Sequence, residues 1–474
     1  MYARLKKLAE SKGIRLTEGW RVAAGDVWAK LRGEGLLAVV LRGSVGAFLV
    51  RFAGAALSFL AHLVAARALG VGSYGTFIYV YTWILILAVL CRVGFRHSLI
   101  RFVAQYRVNE EWRLLRGLSR RSFHVVALAG GLVALGVVLC AGLLPQLLGT
   151  RRAAVFAVAA LGIPFLALMG VEHGMLRGLK RVVLADLPER VLRPGLLAAV
   201  TLVLLLVLGG GALDAVTVTA VHTGAMALAF AAGAVFLWRV SPHQMRERGP
   251  SSYETRRWLA VSFPLFLITG MNMLSRQVSL IMVGSLADDS AAGLLGIGLR
   301  LSLLVRFGQM ASNMIAAPLI AELYYAEEHR DLQRLLKMVA WGIFVFTLFA
   351  AGGLILCGPW LLEIFGSGFR AAYVPLIIIV VGQIINSLCG PVMYILQMTG
   401  RQSRAAVVVA GSMVVQLLLC LVLIPAWGAL GAALAMSVGI ALCKIVMVFQ
   451  SWWTLELNPT IFPFRSFVRG AAQP

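Results

Sequence analysis

Long apolar runs recur along this chain from about residue 43 to its C-terminal region. Each run has about twenty or more residues, enough for a helix to cross the roughly 30 Å of hydrocarbon in a bilayer. Because 60% of the 474 residues are hydrophobic and only 13% are charged, a soluble fold could not keep its surface wetted. The sequence therefore predicts a polytopic membrane protein.

Helices are expected for these runs, because strict alternation of apolar and polar residues is absent and a helix satisfies its own backbone hydrogen bonds in lipid. The sequence predicts an all-α fold with about twelve transmembrane helices, at residues 43–66, 75–94, 122–146, 153–173, 182–208, 214–238, 258–283, 291–318, 338–361, 372–398, 405–425 and 429–452.

The basic residues are distributed unevenly between the two sides of this layout. The chain has 43 Lys and Arg against 20 Asp and Glu, a formal net charge of +23. Loops on one side hold only Arg67, Arg151, Arg152 and Arg370. Since cytoplasmic loops carry an excess of Lys and Arg, both termini are predicted to be cytosolic. The positive charge is thereby explained by orientation in the membrane, and nucleic acid is not an expected partner.

Similar segments recur at a nearly constant spacing. YRVNEEWRLLRGL at 106–118 matches YYAEEHRDLQRLL at 324–336, and LCAGLLPQLLG at 139–149 matches LCGPWLLEIFG at 356–366. This spacing indicates a duplicated unit of about six helices. Because six is even, the two lobes are expected to run parallel, with a central cavity between them. The predicted organisation is a cytosolic basic arm at 1–42, an N-lobe at 43–240, a cytosolic linker at 241–257, a C-lobe at 258–452 and a cytosolic tail at 453–474.

Several basic residues lie deep in the predicted spans, where a charge costs roughly 2.5–3.5 kcal/mol and normally faces protein or water. Helical spacing places them on polar stripes in the first, seventh and eighth spans. These stripes predict a cationic cavity that binds an anionic cargo, because guanidinium groups grip phosphate oxygens. The predicted ligands are Arg51, Arg276, Arg306, Arg300 and Lys444, and the predicted polar lining is Ser58, His62, Asn272, Ser279, Gln309 and Asn313. The alternative is that some of these arginines snorkel to an interface and that the histidine is simply packed.

Other polar residues are given structural roles or none. Asp186 with Arg190, and Glu189 with Arg193, lie four residues apart in the fifth span and are expected to form structural ion pairs. The six cysteines lie in or beside apolar segments without a CxxC or His/Cys spacing. No metal, cofactor or catalytic residue is predicted.

The stretch ARALGVGSYGTFIYVYTWILILAVLCRVGFRHSLIRFVAQY at 66–106 resembles the bacterial polysaccharide transporters of the multidrug/oligosaccharidyl-lipid/polysaccharide exporter superfamily. SLADDSAAGLLGIGLRLS at 285–302 is similar to a second copy of the same pattern, and LVLIPAWGALGAALA at 421–435 is similar to the closing helices of that family. The resemblance covers about residues 43–450. Many members have an acidic pattern in the seventh helix near the position of Ser279, which this sequence lacks.

This resemblance implies two six-helix lobes and a flippase in the bacterial cytoplasmic membrane. Such a flippase moves an undecaprenyl-pyrophosphate-linked oligosaccharide from the inner to the outer leaflet for O-antigen, capsule or exopolysaccharide assembly. A polymerase and a chain-length regulator are candidate partners. Three alternatives remain: a flippase for lipid II, an ion-coupled multidrug antiporter of the same superfamily, and a membrane polymerase or ligase. The short external loops and the absence of acids in the cores of the first, seventh and eighth spans disfavour the last two.

Overall fold

In the computed structural model, residues 36–143, 145–209, 213–247 and 249–462 are described. These ranges are helical and contain no β-strand. The helices are α1 (Leu36–Cys91), α2 (Phe95–Val108), α3 (Trp112–Leu143), α4 (Pro145–Leu148), α5 (Thr150–Ala160), α6 (Ile163–Gly178), α7 (Val182–Leu187), α8 (Arg193–Leu208), α9 (Ala215–Val240), α10 (His243–Arg246), α11 (Thr255–Leu286), α12 (Asp289–Tyr325), α13 (His329–Phe365), α14 (Tyr373–Leu388), α15 (Val392–Met398) and α16 (Gln402–Leu455). A π-helical segment, Pro188–Leu192, joins α7 to α8, and a 3-10 helix, Ser367–Ala372, precedes α14.

Within the described ranges, nine helical stretches are long and apolar enough to cross a membrane, or ten with α11, which is bent by 42° near Met271. Two of the ten are interrupted by a glycine with non-helical backbone, Gly70 in α1 and Gly428 in α16. At 1.5 Å per residue, a straight helix as long as α1 or α16 would be more than twice as long as the hydrocarbon is thick. When the two stretches that contain Gly70 and Gly428 are each divided at the glycine, the ten stretches become twelve segments, the number that the sequence predicted.

The chain reverses direction at both glycines. His62 and Tyr74, on either side of the break in α1, are joined by a hydrogen bond of 3.0 Å. In α16, a Cβ placed on Gly439 would lie 3.0 Å from the side chain of Gln416, on the other side of the second break. Each long helix is therefore a pair of antiparallel segments, and glycine occupies the turn because its φ there is positive.

The predicted domain limits differ from the helix ends at three places, and two of these, the start of α11 at Thr255 and the end of α16 at Leu455, differ by only three residues. The basic arm was expected to extend to residue 42, but α1 begins at Leu36, because LLAVVL continues the apolar helical run. Residues 1–35 of the predicted arm and 463–474 of the predicted tail lie outside the described part of the chain.

The two halves pack mainly through α1, α2, α11 and α12. In the N-terminal half, α6 packs against α2, α3 and α9, and α8 packs against α1 and α9. In the C-terminal half, α16 packs against α11 and α14, and α13 packs against α12 and α14. Across the halves, α12 packs against α1, and α11 packs against both α1 and α2.

Connections between helices lie at two opposite ends, which we name after one residue each. The Asp289 end carries the two glycine breaks and the connections α3–α5, α8–α9, α11–α12 and α13–α14. The Tyr106 end carries the connections α2–α3, α6–α7, α9–α11, α12–α13 and α15–α16. At the Tyr106 end the Tyr106 hydroxyl accepts a hydrogen bond of 2.9 Å from Trp258 and donates one of 3.2 Å to Glu254, which joins α2 to the start of α11.

The duplicated charged segments have corresponding contacts at the Tyr106 end. In the first copy, Arg116 donates hydrogen bonds to the carbonyls of Gln244 and Pro250, in the chain that follows α9. In the second copy, Gln333 donates to the carbonyl of Asn458 at 2.6 Å and accepts from its amide at 3.0 Å, in the chain that follows α16. Each copy therefore ties the end of its own half back to the third helix of that half.

Candidate functional site

A cavity of about 270 Å³ lies between α1, the π-helical segment and α8 of the N-terminal half and α12 of the C-terminal half. Its ionisable wall residues are four arginines and one acid, namely Arg51, Arg190, Arg193, Arg300 and Glu189. Ser58 adds a hydroxyl, and apolar side chains such as Phe59 and Phe307 complete the wall. Because positive charge is in excess, the wall is suited to a phosphate-bearing ligand rather than to a cationic one.

Asp186 of α7 lies behind this wall and is fully buried, with 0% of its side chain exposed. Four basic groups from three helical segments surround its carboxylate. They are Arg51 at 3.3 Å, His173 at 3.5 Å, Arg190 at 3.6 Å and Arg177 at 3.8 Å. The expected contact between Asp186 and Arg190 is present, but it is one of several. Asp186 thus joins α1 and α6 to the segment that carries the cavity arginines.

Glu189 and Arg193, which were expected to pair, each have a close partner on another helix. Glu189 forms its ion pair with Arg96 of α2 at 2.8 Å. Arg193 donates a hydrogen bond of 2.8 Å to the hydroxyl of Tyr81, and its guanidinium lies 5.8 Å from the centre of that ring. The nearest partners of both residues therefore come from the neighbouring α1 and α2, which a linear pattern does not reveal.

His62 was expected to line the cavity, and the structure places it elsewhere. Its side chain is buried, and its Nδ1 lies 3.0 Å from the hydroxyl of Tyr74. Its ring packs edge-on against the same tyrosine. His62 therefore stabilises the turn at Gly70, in agreement with the alternative of a packed histidine.

The other expected site residues whose side chains are described lie outside the cavity wall. Arg276 is exposed on α11, and Arg306 of α12 and Lys444 of α16 are half-buried. Ser279, Gln309 and Asn313 are engaged or buried between helices of the C-terminal half: Ser279 accepts from Gln416 at 2.9 Å, Gln309 accepts from Asn386 at 3.1 Å, and Asn313 is 6% exposed. The side chain of Asn272 is not among those described. Helical periodicity shows which residues share a face but not which neighbour that face meets.

The halves are in close contact at the Asp289 end. Asp289, in the first turn of α12, forms an ion pair with Arg152 of α5: its Oδ2 accepts a hydrogen bond of 3.1 Å from Nε, and its Oδ1 lies 2.9 Å from a terminal guanidinium nitrogen. Thr76 of α1 donates to the same carboxylate at 2.8 Å. A Cβ on Gly75 would collide with the backbone carbonyl of Asp289. The cavity is therefore closed on this side.

Two buried charged residues of the N-terminal half were missed by the sequence interpretation. Glu172 of α6 is 2% exposed, and both of its carboxylate oxygens lack a hydrogen-bond partner within the described chain. Its carboxylate packs against Gly233 of α9, so closely that a Cβ at that position would collide with it. Arg92, at the kink between α1 and α2, is 8% exposed and donates to the carbonyl of Leu166 at 2.7 Å. The sequence signal that could have identified both Glu172 and Arg92 is a charged residue inside an apolar run.

Solved structures of three transporters share this fold. An inward-facing multidrug resistance MATE family transporter of the MOP superfamily is 16% identical with a TM-score of 0.68, covering 84% of this chain and 94% of its own. The lipid II flippase MurJ, in an inward closed conformation, is 16% identical with a TM-score of 0.65, covering 86% and 87%. A MOP superfamily transporter from Pyrococcus furiosus is 15% identical with a TM-score of 0.61, covering 90% and 96%. These likenesses show a transporter fold.

Sequence comparison identifies the family. Among curated proteins, no sequence matches the chain. The family model described as polysaccharide biosynthesis protein matches residues 40–324, which is more than half of the 474 residues. The match includes most of α1 and most of α12, and it contains all the arginines of the cavity wall. The chain is a multi-pass membrane protein that belongs to the polysaccharide biosynthesis protein family.

Proposed function

We propose that this protein flips a polyprenyl-pyrophosphate-linked oligosaccharide from the inner to the outer leaflet of the bacterial cytoplasmic membrane by alternating access, for assembly of a surface polysaccharide. The observation that carries the proposal is the cationic cavity between the two halves, with four arginines and one acid on its wall. A pyrophosphate is the anionic group that such a wall accommodates best, because guanidinium groups bind phosphate oxygens in a bidentate manner.

The polar head group is the part of such a molecule that cannot cross the bilayer unaided. Pyrophosphate and sugars cannot enter hydrocarbon, whereas a polyprenyl tail is soluble in it. In the proposed cycle the head enters the cavity between the halves while the tail remains in the lipid outside. The contact at the Asp289 end then opens and the opposite side closes, which exposes the head to the other leaflet.

The proposed orientation places the Tyr106 end and both termini in the cytosol. The support is the positive-inside distribution of Lys and Arg, because the basic connections α2–α3, α6–α7 and α9–α11 lie at the Tyr106 end. The cavity is then closed toward the outer leaflet, ready to receive cargo from the cytosolic one. A polymerase and a chain-length regulator would act on the product outside.

A flippase for lipid II is the second candidate, supported by the structural similarity to MurJ. It differs from the first only in the head group. A multidrug antiporter, as in the MATE neighbour, receives less support because a cationic drug would meet four arginines in this cavity.

Deletion of the gene and complementation by variants test the proposal. Arg51→Gln combined with Arg300→Gln is expected to abolish surface polysaccharide and to accumulate lipid-linked oligosaccharide accessible from the cytosolic side, at normal protein abundance. Arg334→Gln, an exposed arginine at the Tyr106 end, is the matched control and is expected to retain export. Arg276→Gln is expected to reduce export less than the double variant does, because Arg276 is not on the wall.

Three outcomes separate the candidates. Loss of surface polysaccharide with unchanged drug susceptibility supports the proposed cargo. Cell lysis with accumulation of lipid II identifies that cargo instead, and drug hypersensitivity with intact polysaccharide identifies an antiporter. Full export by the double variant contradicts the role assigned to the cavity.

A further inference from the structure

Two arginines of the cavity wall approach Asp186 in the same way. The nitrogen of Arg51 nearest to the carboxylate is Nε, 3.3 Å from Oδ2, and the nearest nitrogen of Arg190 is also Nε, 3.6 Å from Oδ1. Each arginine therefore uses a different carboxylate oxygen. Within the described part of the chain, the terminal nitrogens of both arginines have no hydrogen-bond partner.

The position of Asp186 prevents it from meeting a ligand directly. Its side chain is 0% exposed, and it is not part of the cavity wall, whereas both of its arginine partners are. His173 and Arg177 of α6 add further basic groups at 3.5 and 3.8 Å. Any effect of Asp186 on a cargo must then pass through the arginines that it holds.

A guanidinium group held at Nε keeps its two terminal NH₂ groups free, and these form the fork that binds phosphate oxygens. Without the carboxylate, Arg51, Arg177 and Arg190 would repel one another and each long side chain would regain its rotamer freedom. Polar groups behind a binding residue commonly fix its orientation in this way.

We propose that Asp186 is a positioning residue that aims the terminal nitrogens of Arg51 and Arg190 into the cavity, so that the two forks together receive one pyrophosphate group. This inference rests on the proposed function and assigns its head-group site to α1 and the π-helical segment. Arg190, expected from the sequence to serve only as a structural partner, becomes a binding residue.

The direction in which Asp186→Asn changes the affinity for an anion distinguishes positioning from simple electrostatics. Asp186→Asn removes a negative charge beside three arginines, so Coulomb attraction alone predicts equal or tighter binding of an anion. Loss of positioning predicts the opposite, because two long side chains must then be ordered when the ligand binds. We expect binding of inorganic pyrophosphate to the purified full-length protein in lipid nanodiscs to weaken about tenfold in Asp186→Asn.

The measurement is calorimetric titration with inorganic pyrophosphate at fixed ionic strength. Asp186→Glu, which keeps the carboxylate, is expected to recover part of the affinity. Asp331→Asn is the matched control, because it removes an exposed carboxylate at the Tyr106 end that pairs only with Arg334 within the described chain, and it is expected to bind like the wild type.

Lysine variants make the test independent of the folding of Asp186→Asn. Arg51→Lys and Arg190→Lys keep the charge but lose the fork, and each is expected to weaken binding severalfold. In the Asp186→Asn background, Arg51→Lys is expected to add little further loss. Equal or tighter binding by Asp186→Asn or full affinity in both lysine variants overturns the positioning role while the proposed function stands. A wild-type protein that does not bind pyrophosphate overturns the head-group site itself.

Discussion

Asp289→Asn is the substitution expected to shift the balance between the two halves. The Asp289 carboxylate joins α12 to α5 and α1 through Arg152 at 2.9 and 3.1 Å and Thr76 at 2.8 Å. Both charged side chains are about a quarter exposed, so water screens the pair only in part. The substitution keeps the shape of the side chain and removes its charge. The state closed at the Asp289 end therefore loses stability relative to a state open there.

The size of this shift follows from the hydrogen bonds that the substitution weakens. Hydrogen bonds to charged groups contribute roughly 1.5–3 kcal/mol, and the asparagine retains part of this through neutral hydrogen bonds. The closed state is therefore destabilised by about 1–2 kcal/mol, which changes the ratio of closed to open molecules by a factor of about 5–30.

Distance measurement between spin labels provides the assay. Cysteines introduced at Thr150 and Ser367, exposed positions of the two halves at the Asp289 end, carry the labels in a background without native cysteines. In Asp289→Asn we expect a longer-distance population to grow at the expense of the closed one. Glu363→Gln is the control, because it breaks the 3.2 Å pair with Arg370 inside the C-terminal half. An unchanged distance distribution in Asp289→Asn, or the same change in the control, would refute the reasoning.

Three other substitutions have definite expected outcomes. Gly75→Ala is expected to open the Asp289 end in the same label assay, because its Cβ would collide with the backbone of α12, whereas Gly131→Ala, with no atom within 4 Å, is expected to have no effect. Glu172→Gln is expected to keep wild-type abundance and thermal stability, because a charged carboxylate there has no counter-charge within the described residues, and a large loss of stability would show that the charge is needed. The pKa of Asp214 lies below its ordinary value because Thr217 donates hydrogen bonds to the carboxylate. The ionised carboxylate therefore stabilises the folded protein at any pH above the ordinary pKa, and this stabilisation is lost as the pH falls through the lower pKa of the folded state. Asp214→Ala, which removes this helix N-cap, should then cost about 1 kcal/mol in thermal unfolding at pH 7, and the difference from wild type should vanish in acid below both pKa values.

The helices and their duplicated arrangement could be predicted from the sequence because lipid leaves few alternatives. A backbone in hydrocarbon must bond to itself, so each apolar run becomes a helix, and the constant spacing of the charged segments then divides the chain into halves. The presence of Arg51, Arg300 and Ser58 on the wall was expected from polar positions inside apolar helices. Their binding of a cargo stays a prediction.

The arrangement around Asp186 could not be predicted because its partners come from helices far apart in the sequence. Arg51 is 135 residues away, and only tertiary packing brings it to the carboxylate. The i,i+4 rule describes an isolated helix, and it does not identify Arg96 of another helix, which forms an ion pair of 2.8 Å with Glu189. Likewise, the stripe that includes Arg276 and Ser279 identifies a face of α11, but the serine of that face meets α16 rather than the cavity.

The hydrogen bonds of Arg116 in the first half and of Gln333 in the second show how far each half depends on the covalent connection between them. Each half fastens its own last residues to its third helix through side-chain hydrogen bonds to the backbone, so the end of each bundle is held without help from the other. A chain cut between the halves would leave both bundles with their ends secured, and two separately synthesised fragments would retain the surfaces needed to recognise each other. Such a half is what an ancestral gene would have encoded if two copies of one polypeptide once assembled side by side in the bilayer.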